Sequence, residues 1–538
     1  MSGTRLLSSE PLITLSLVTL LVLTSVVLML TCTSPEFSWD EADYLASTSN
    51  HWGSLWGGFD YHRHGHGPMA IYLAKLGHDV FPAGAGSLEC RYRFLIALVG
   101  SLAIGFLYWT LRHSFRTSRA AALVGSSLLL FSVIRLEETN IIGPHHLMLA
   151  CTLAIAALGY QWRDRPTLHA AIGLGAVMAF GALSMTYVIP AALCWALAVS
   201  LAGTGWVTWD RTYLKMSWWM LAIPFMVAIA VLVLWPPGVL QRVIIRDFRA
   251  YLHYRYHPTL VGHRIFEVTP RWAVAYWLAD LDAPILLFSL VVGIGAMWKA
   301  FRRKRLSSKH AYLSVWLAFF LVIALAAHIA GARNLLQFLG VLCLATGALF
   351  DEAVGDDRRV IWSASAAVII LAALNLLWLS QSSSYTPYLA TDGYRVFVKE
   401  VENRLHERAS AIVYGLPILK FYAQQEGTSL AWDRREIDWT TRADAPLPAE
   451  VKYVLIPAFV YEYMPAEHPM RRVVAEHWKV VWSFKSNRAW ELRLYERPQP
   501  TALNLPFPGS QLTTTGPKAG VLQSRRFASE VRYSSTRP

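Results

Sequence analysis

The sequence predicts a polytopic α-helical membrane protein of about eleven membrane-spanning helices, followed by a small extracytoplasmic α/β domain. Of its 538 residues, 54% are hydrophobic and only 16% are charged, against roughly a quarter charged in soluble domains. The apolar residues also gather into runs long enough to cross a bilayer. Many residues behind the net charge of +13 lie in short loops between these runs, which indicates membrane topology rather than nucleic-acid binding.

The transmembrane domain is predicted over residues 1–380. Its first apolar run, 11–31, contains no charge. The length of this run, and the lack of a small-x-small cleavage site after it, favour an uncleaved helix over a secretory signal. Ten further spans are predicted near residues 94–111, 120–134, 146–161, 168–184, 187–203, 217–235, 273–298, 311–330, 335–350 and 360–380.

The orientation follows from short basic loops that alternate with the spans and fall on one side of the membrane. The positive-inside rule makes that side cytoplasmic. Loops 34–91 and 236–272 and the C-terminal region are then extracytoplasmic, although loop 236–272 is itself basic. The clusters of Arg and Lys that define the cytoplasmic side lie at 112–119, 163–165, 211–215 and 299–305.

Hydropathy drops after the last span, and residues 381–498 are predicted to form the extracytoplasmic α/β domain. Short apolar runs alternate there with an amphipathic segment. From residue 499 the chain is rich in Pro, Ser, Thr, Gly and Arg without periodicity, which predicts a disordered tail, 499–538. The strands are expected at 411–414, 453–456, 479–482 and 490–495, and a helix at 416–425.

Asp40 and Glu41 stand a few residues beyond the end of the first predicted helix. Charges so close to hydrocarbon are costly unless they have a task. A carboxylate in this position can act as a general base towards an acceptor hydroxyl. The alternative is a solvated cap at the start of a short helix, a role that Asp also suits.

The order of motifs after the first span resembles the opening of the GT-C glycosyltransferases. The motifs are Asp40-Glu41-Ala42, the turn His66-Gly67-Pro68 and the amphipathic run Ile71–Ala74. The resemblance is narrowest to the dolichyl- or polyprenyl-phosphate-mannose protein mannosyltransferases and the lipid A aminoarabinose transferases. In that branch the first loop has an Asp-Glu pair and a His-Pro-Pro or similar turn, and here Gly67 replaces one proline.

Three later segments extend the resemblance over roughly the first 350 residues. The outer loop 236–272 and the helix after it contain His257-Pro258-Thr259 and Asp282-Ala283-Pro284, in an order similar to the fourth outer loop of the family. Arg333 stands where the family often has a basic residue. Glu137 or Glu138 lies where the family often has a further acidic residue.

The resemblance implies a hexosyl-, mannosyl- or pentosyltransferase in the bilayer, expected in a bacterial inner or plasma membrane. Its donor would be a polyprenyl-phosphate-linked sugar, and its acceptor a glycan, lipid or protein on the extracytoplasmic face. Asp40 is the expected general base, with Glu41 beside it. Arginines suit the leaving phosphate because guanidinium groups bind phosphate oxygens bidentately. Candidate phosphate ligands are Arg255, Arg264 and Arg333, and candidate sugar or acceptor ligands are His66, Glu137, Glu138, Tyr256 and His257.

His62, His64 and Asp60 in the first loop are the candidate ligands for a divalent metal ion. Imidazole and carboxylate suit such an ion, but the spacing is not that of a standard zinc site. The alternative is a wet, polar loop that lines the acceptor side. No other cofactor is expected.

Two other classes of function remain open on sequence alone. A transporter or flippase of lipid-linked glycans would need charges within its spans or broken helices, and the spans contain few charges and show no repeated halves. An inactive relative that binds lipid-linked glycans or a partner is the third interpretation.

Overall fold

The computed structural model is a helical bundle joined to a five-stranded sheet. Residues up to Arg497 form one compact unit. The structure describes residues 10–31, 41, 45, 69–82, 84, 86–137, 142–164, 167–185, 188–201, 211–234, 279, 281–302, 307–326, 335–354, 358–381, 394–404, 410–414, 417–427, 432–435, 451–457, 478–485 and 491–498.

Helices α1 to α13 occupy the described chain up to residue 381. They are α1 (Glu10–Thr31), α2 (Met69–Val80), α3 (Leu88–His113), α4 (Arg119–Leu130), α5 (Val133–Glu137), α6 (His145–Asp164), α7 (Leu168–Ser184), α8 (Val188–Leu201), α9 (Arg211–Leu234), α10 (Ala283–Arg302), α11 (Ser308–Ala326), α12 (Leu336–Val354) and α13 (Arg358–Gln381).

Each of the eleven predicted spans overlaps one of these helices. Five helices contain segments that are long and apolar enough to cross a bilayer. The prediction of a polytopic helical membrane protein is confirmed, and the count of eleven crossings stays a prediction. The five segments are Pro11–Met29, Leu88–His113, Ala283–Arg302, Leu336–Val354 and Arg359–Leu377.

Helix ends differ from the hydropathy prediction where polar groups cap the helix. Helix α3 starts at Leu88, six residues before the predicted span, because the Ser87 hydroxyl accepts a hydrogen bond from the Cys90 N–H at 3.2 Å. The first turns of α3 therefore include the charged residues that precede the apolar run. Helix α4 ends at Leu130, short of the predicted residue 134, and a separate helix, α5, begins at Val133.

The amphipathic run predicted after the first loop forms helix α2. Its buried residues are spaced three or four apart, as a helix that covers another element requires. Arg91 of α3 fixes the end of α2, since its guanidinium donates to the carbonyls of His78 at 2.7 Å and Phe81 at 3.0 Å. The buried face consists of Met69, Ala70, Ile71, Ala74 and Gly77.

Helix α10 exposes a continuous apolar face. Leu287, Ile294 and Phe301 are 66%, 69% and 78% exposed and stand seven residues apart. Residues at that spacing share one side of a helix. A surface of this kind is stable against lipid chains, which agrees with a membrane-spanning α10.

Helix α12 lies at the centre of the bundle, and its residues from Leu336 to Phe350 are nearly all buried. Its polar side chains bond to side chains of neighbouring helices. Gln337 donates to the Thr152 hydroxyl of α6 at 2.9 Å, and Thr346 donates to the Ser289 hydroxyl of α10 at 2.7 Å. These bonds satisfy polar groups where no water is available.

Polar contacts between loops define two opposite ends of the bundle. At one end, Glu41 contacts Arg93 near the start of α3 and Ile142 before α6. We call this the outer end. At the other, the inner end, Ser118 before α4 donates to Asp351 in the last turn of α12, and Lys309 near the start of α11 pairs with Glu352. The predicted topology divides these segments in the same way: those with Glu41 and Ile142 are outside, and those with Ser118 and Lys309 are inside.

The C-terminal region contains helix α14 (Tyr394–Arg404), helix α15 (Pro417–Gln425) and a mixed sheet. The strand order is β2-β1-β3-β5-β4. Strand β1 is parallel to β2 and β3, while β5 is antiparallel to β3 and β4. The strands are β1 (Ser410–Tyr414), β2 (Trp432–Arg435), β3 (Val451–Pro457), β4 (Lys479–Lys485) and β5 (Glu491–Glu496).

Four of these strands and helix α15 coincide with predicted elements. Strand β2, Trp432–Arg435, was not predicted, because its four residues include three charged ones and lack an apolar alternation. It lies at the edge of the sheet, where charges are common. The boundaries proposed at residues 381 and 499 stay predictions, and the tail from residue 499 lies outside the described residues.

The sidedness of the two ends gives a testable prediction. Single cysteines that replace exposed Arg359, at the start of α13, and exposed Gln425, at the end of α15, should label from opposite sides in a background without native cysteines. An impermeant maleimide applied to intact cells should reach position 425 only, since the basic short loops place the inner end in the cytoplasm. Labelling of both positions before lysis would contradict this topology.

Candidate active site at the outer end

Glu41 lies at the outer end, and its side chain is fully buried. The Arg93 guanidinium, 3% exposed as a residue, donates to both of its carboxylate oxygens, Nε to Oε1 and Nη2 to Oε2, each at 2.6 Å. The Ile142 N–H donates to Oε1 at 2.9 Å. One carboxylate thus joins the first loop, helix α3 and the segment before α6.

This geometry suits Glu41 to anchoring rather than to proton transfer. A bidentate arginine pair favours the ionised carboxylate, and three donors occupy much of its capacity to accept. Of the predicted catalytic pair, Glu41 is held by these contacts, and a catalytic role for it stays a prediction. Asp40 precedes it in the chain and lies outside the described residues.

The structure tests little of the remaining predicted site. Glu137 is the last residue of helix α5, which begins four residues earlier beside Asp282; its side chain is outside the described part. The other candidate residues also lie outside it: Asp60, His62, His64, His66, Glu138, Arg255, Tyr256, His257, Arg264 and Arg333.

Asp282 fixes helix α5 at the outer end. Its buried carboxylate accepts from the N–H groups of Val133 at 2.8 Å and Ile134 at 3.2 Å, and from the Ser132 hydroxyl at 2.8 Å. These are N–H groups that a helix start leaves without internal partners.

Arg135 of α5 extends this contact into the bundle. Its side chain is fully buried, and its guanidinium donates to the Ser25 hydroxyl of α1 at 3.0 Å and to the Leu130 carbonyl at 2.8 Å. Ser25 in turn donates to Ser101 of α3 at 2.9 Å. Helices α1, α3 and α5 are thereby held in one polar network.

His146 packs closely against α3 near the same end. It is 1% exposed, and a methyl group added at Gly100 would lie 2.8 Å from its Nδ1 atom. Any larger residue at position 100 would displace the imidazole. The glycine therefore lets the start of α6 approach α3, which positions Ile142 for its bond to Glu41.

Glu89, one turn before Arg93, is a second buried carboxylate, 1% exposed. Its Oε1 atom accepts from Arg395 Nη2 of α14 at 2.6 Å and from the Tyr422 hydroxyl of α15 at 2.9 Å. Its Oε2 atom is buried and has no hydrogen-bond partner among the described residues. The C-terminal region is thus bound to the outer end through a charged group.

Sequence reasoning did not identify Arg93 or Glu89 as parts of this end, and it placed Asp282 in a family-like motif without assigning it a role. A local signal existed for the first two, because Glu89-Cys90-Arg91-Tyr92-Arg93 places three charges immediately before an apolar run. Their partners are distant in the chain and could not be read from spacing. Among the described residues, no group of three His, Cys, Asp or Glu side chains is arranged to hold a metal ion.

Replacement of Asp282 tests its role at the outer end. Asp282→Ala leaves two backbone N–H groups and one hydroxyl without an acceptor, and should lower the free energy of unfolding by about 3 kcal/mol. Thermal unfolding of the detergent-solubilised protein measures this. Asp79→Ala is the control, because Asp79 is exposed and pairs with Lys75 four residues away, a contact worth only about 0.5 kcal/mol. Equal losses in both variants would contradict the structural role of Asp282.

No protein-family model and no curated protein matches the sequence. Solved structures do match over most of the chain. An oligosaccharyltransferase from Archaeoglobus fulgidus, in complex with Zn and sulfate, has a TM-score of 0.55 at 12% identity, and the match covers 89% of this chain and 73% of that one.

Two further matches have TM-scores of 0.52 at 12% identity. One is the oligosaccharyltransferase AglB from Archaeoglobus fulgidus with an inhibitory peptide and a dolichol-phosphate, covering 92% of this chain and 76% of that one. The other is ArnT from Cupriavidus metallidurans bound to undecaprenyl phosphate, covering 91% of this chain and all of that one.

AglB and ArnT are both members of the GT-C superfamily. Identity of 12% establishes shared architecture and leaves activity to be argued from the site. The resemblance seen in the motifs of the first loop is confirmed at the level of the fold. The chain is an integral membrane protein with the GT-C fold.

Proposed function

We propose that this protein is a membrane glycosyltransferase that transfers a sugar from a polyprenyl-phosphate-linked donor to an acceptor on the extracytoplasmic face. The observation that carries the proposal is the buried Glu41–Arg93 ion pair, which fixes the residue next to Asp40 at the outer end of a GT-C fold. A helical bundle without a functional site at this end would not need to hold one loop residue by three hydrogen bonds.

The energetic cost of this arrangement supports a functional role. Removing two charges from water costs several kcal/mol per ion, and an ion pair offsets this only with good geometry. The fold supplies two bonds at 2.6 Å and a third donor from Ile142. The gain is a defined position for the first loop, which a base needs in order to meet its substrate.

The proposed reaction is a single displacement at the anomeric carbon. Asp40 takes the proton of an acceptor hydroxyl while the oxygen forms its bond to that carbon. The bond from the carbon to the phosphate oxygen breaks, and polyprenyl phosphate leaves with the electron pair. Inversion at the anomeric carbon follows.

The developing phosphate charge requires cationic partners, for which Arg255, Arg264 and Arg333 remain the candidates. His66, Glu137, Glu138, Tyr256 and His257 are the proposed sugar or acceptor ligands. No step requires a metal ion, and His62, His64 and Asp60 stay candidates only.

The ligands of the matched structures favour a lipid-phosphate donor. AglB was solved with dolichol-phosphate and a peptide, and ArnT with undecaprenyl phosphate. We extend this to the present chain as a polyprenyl-phosphate donor and a glycan, lipid or protein acceptor, with a bacterial inner or plasma membrane as its location. Mass analysis of envelope glycans and carrier lipids, with and without the gene, would identify the sugar.

Asp40→Asn separates a catalytic base from a helix cap. The amide preserves size and much of the hydrogen bonding, so the loss of a cap would cost only about 1 kcal/mol or less. The loss of a general base should lower the rate roughly a hundredfold or more. We expect transfer from a polyprenyl-phosphate sugar to be abolished, while expression, thermal stability in detergent and binding of the lipid donor persist.

The control for this experiment is Asp79→Asn, because Asp79 is an exposed carboxylate on α2 that pairs with Lys75. It should leave the transfer rate unchanged. A well-folded Asp40→Asn protein with near-normal transfer would contradict the assignment of Asp40 as the general base and favour a transporter or a scaffold.

A further inference from the structure

The core of the C-terminal region continues into the outer end of the bundle. Leu45, one helical turn after Glu41, belongs to the same buried apolar cluster as Ile142 before α6 and Ile96 of α3. The rest of this cluster comes largely from the C-terminal region, including Phe397, Val401, Leu419, Tyr422, Leu455 and Leu494. In the first loop, Leu45 therefore shares one core with residues of the sheet and its helices.

A row of charges runs beside this apolar contact. Glu89 and Arg93 stand four residues apart on α3, a spacing that places two side chains on one face of a helix. Arg93 interacts electrostatically with Glu89 and Tyr422 as well as with Glu41. Two buried carboxylates therefore compete for one guanidinium, whose Nε and Nη2 atoms both donate to Glu41.

The C-terminal region determines the outcome of this competition. Arg395 and Tyr422 both donate to Glu89, so this carboxylate has partners other than Arg93. Arg395 is only half-buried and also lies 3.8 Å from Glu426. Tyr422 is fully buried and brings a neutral donor. Without the hydroxyl, Glu89 would compete more strongly for Arg93 and draw it away from Glu41.

We propose that Tyr422 is a positioning residue for sugar transfer: its hydroxyl occupies Glu89 so that Arg93 holds Glu41, and with it the loop of the base Asp40. This inference rests on the proposed function for its catalytic consequence. The interactions that connect Tyr422 with Glu41 do not depend on it: Tyr422 donates to Glu89, and Glu89 interacts electrostatically with Arg93.

Tyr422→Phe is the selective variant, because it removes one hydroxyl and keeps the ring that packs against Phe421. Tyr453→Phe is the matched control, since the Tyr453 hydroxyl also donates to a glutamate, Glu496, at 3.3 Å within the sheet. Both variants are examined as full-length protein in detergent.

Hydrogen–deuterium exchange tests the coupling without any substrate. The Ile142 N–H donates to Glu41, so its exchange should quicken about tenfold in Tyr422→Phe if Glu41 loosens, and should stay within about twofold of wild type in Tyr453→Phe. The N–H groups of Val133 and Ile134, held by Asp282 at the same end, should not change. Unchanged exchange at Ile142, or an equal increase at all three amides, would overturn the proposal whatever the activity.

Steady-state kinetics test the catalytic consequence with undecaprenyl-phosphate mannose and undecaprenyl-phosphate aminoarabinose as probes. Tyr422→Phe should lower kcat about tenfold and leave the donor KM within about twofold, because a displaced base impairs the reaction and not donor binding. Faster exchange at Ile142 together with normal kcat would overturn the positioning role. A wild-type protein that transfers neither sugar, with envelope glycans unchanged in cells without the gene, would instead reject the proposed function, and the exchange result would still decide the coupling.

Discussion

The buried ion pair between Glu41 and Arg93 is the contact on which the outer end of the molecule depends. Three separate parts of the chain meet there: the first loop, the start of α3 and the segment before α6. Removal of either partner would leave an unpaired ion buried away from water, which is strongly destabilising. The surrounding packing, including the close approach of His146 to Gly100, brings these groups together.

The interior of the bundle satisfies its polar groups in a different way. Between the two ends, helices are joined by neutral bonds such as Ser25 to Ser101, Gln337 to Thr152 and Thr346 to Ser289. Ion pairs are concentrated at the ends, with Lys309 and Glu352 at the inner one. This division is the one that a low-dielectric centre imposes, since a hydroxyl can be buried at much lower cost than a charge.

The sequence predicted the class of the fold, but it predicted few of the contacts at the candidate site. Apolar runs located the helices of the bundle because lipid requires long apolar segments, and alternation located four of the five described strands because each has an apolar face. The first-loop motifs pointed to the GT-C fold, which the structure shares. The role of Glu41 could not be predicted, because its partner Arg93 lies 52 residues away. Asp282 was recognised in a motif, but its contacts with α5 span about 150 residues.

The pairing of Glu41 with Arg93 also explains why two adjacent carboxylates can be useful in one loop. Two neighbouring negative charges close to hydrocarbon repel each other, and each makes ionisation of the other less favourable. Arg93 cancels the charge of Glu41, so that a proton acceptor at Asp40 does not have to ionise beside an uncompensated carboxylate. In the proposed mechanism one carboxylate fixes the loop and the other reacts. Because the same guanidinium also interacts electrostatically with Glu89, the C-terminal region that binds Glu89 belongs to the proposed site.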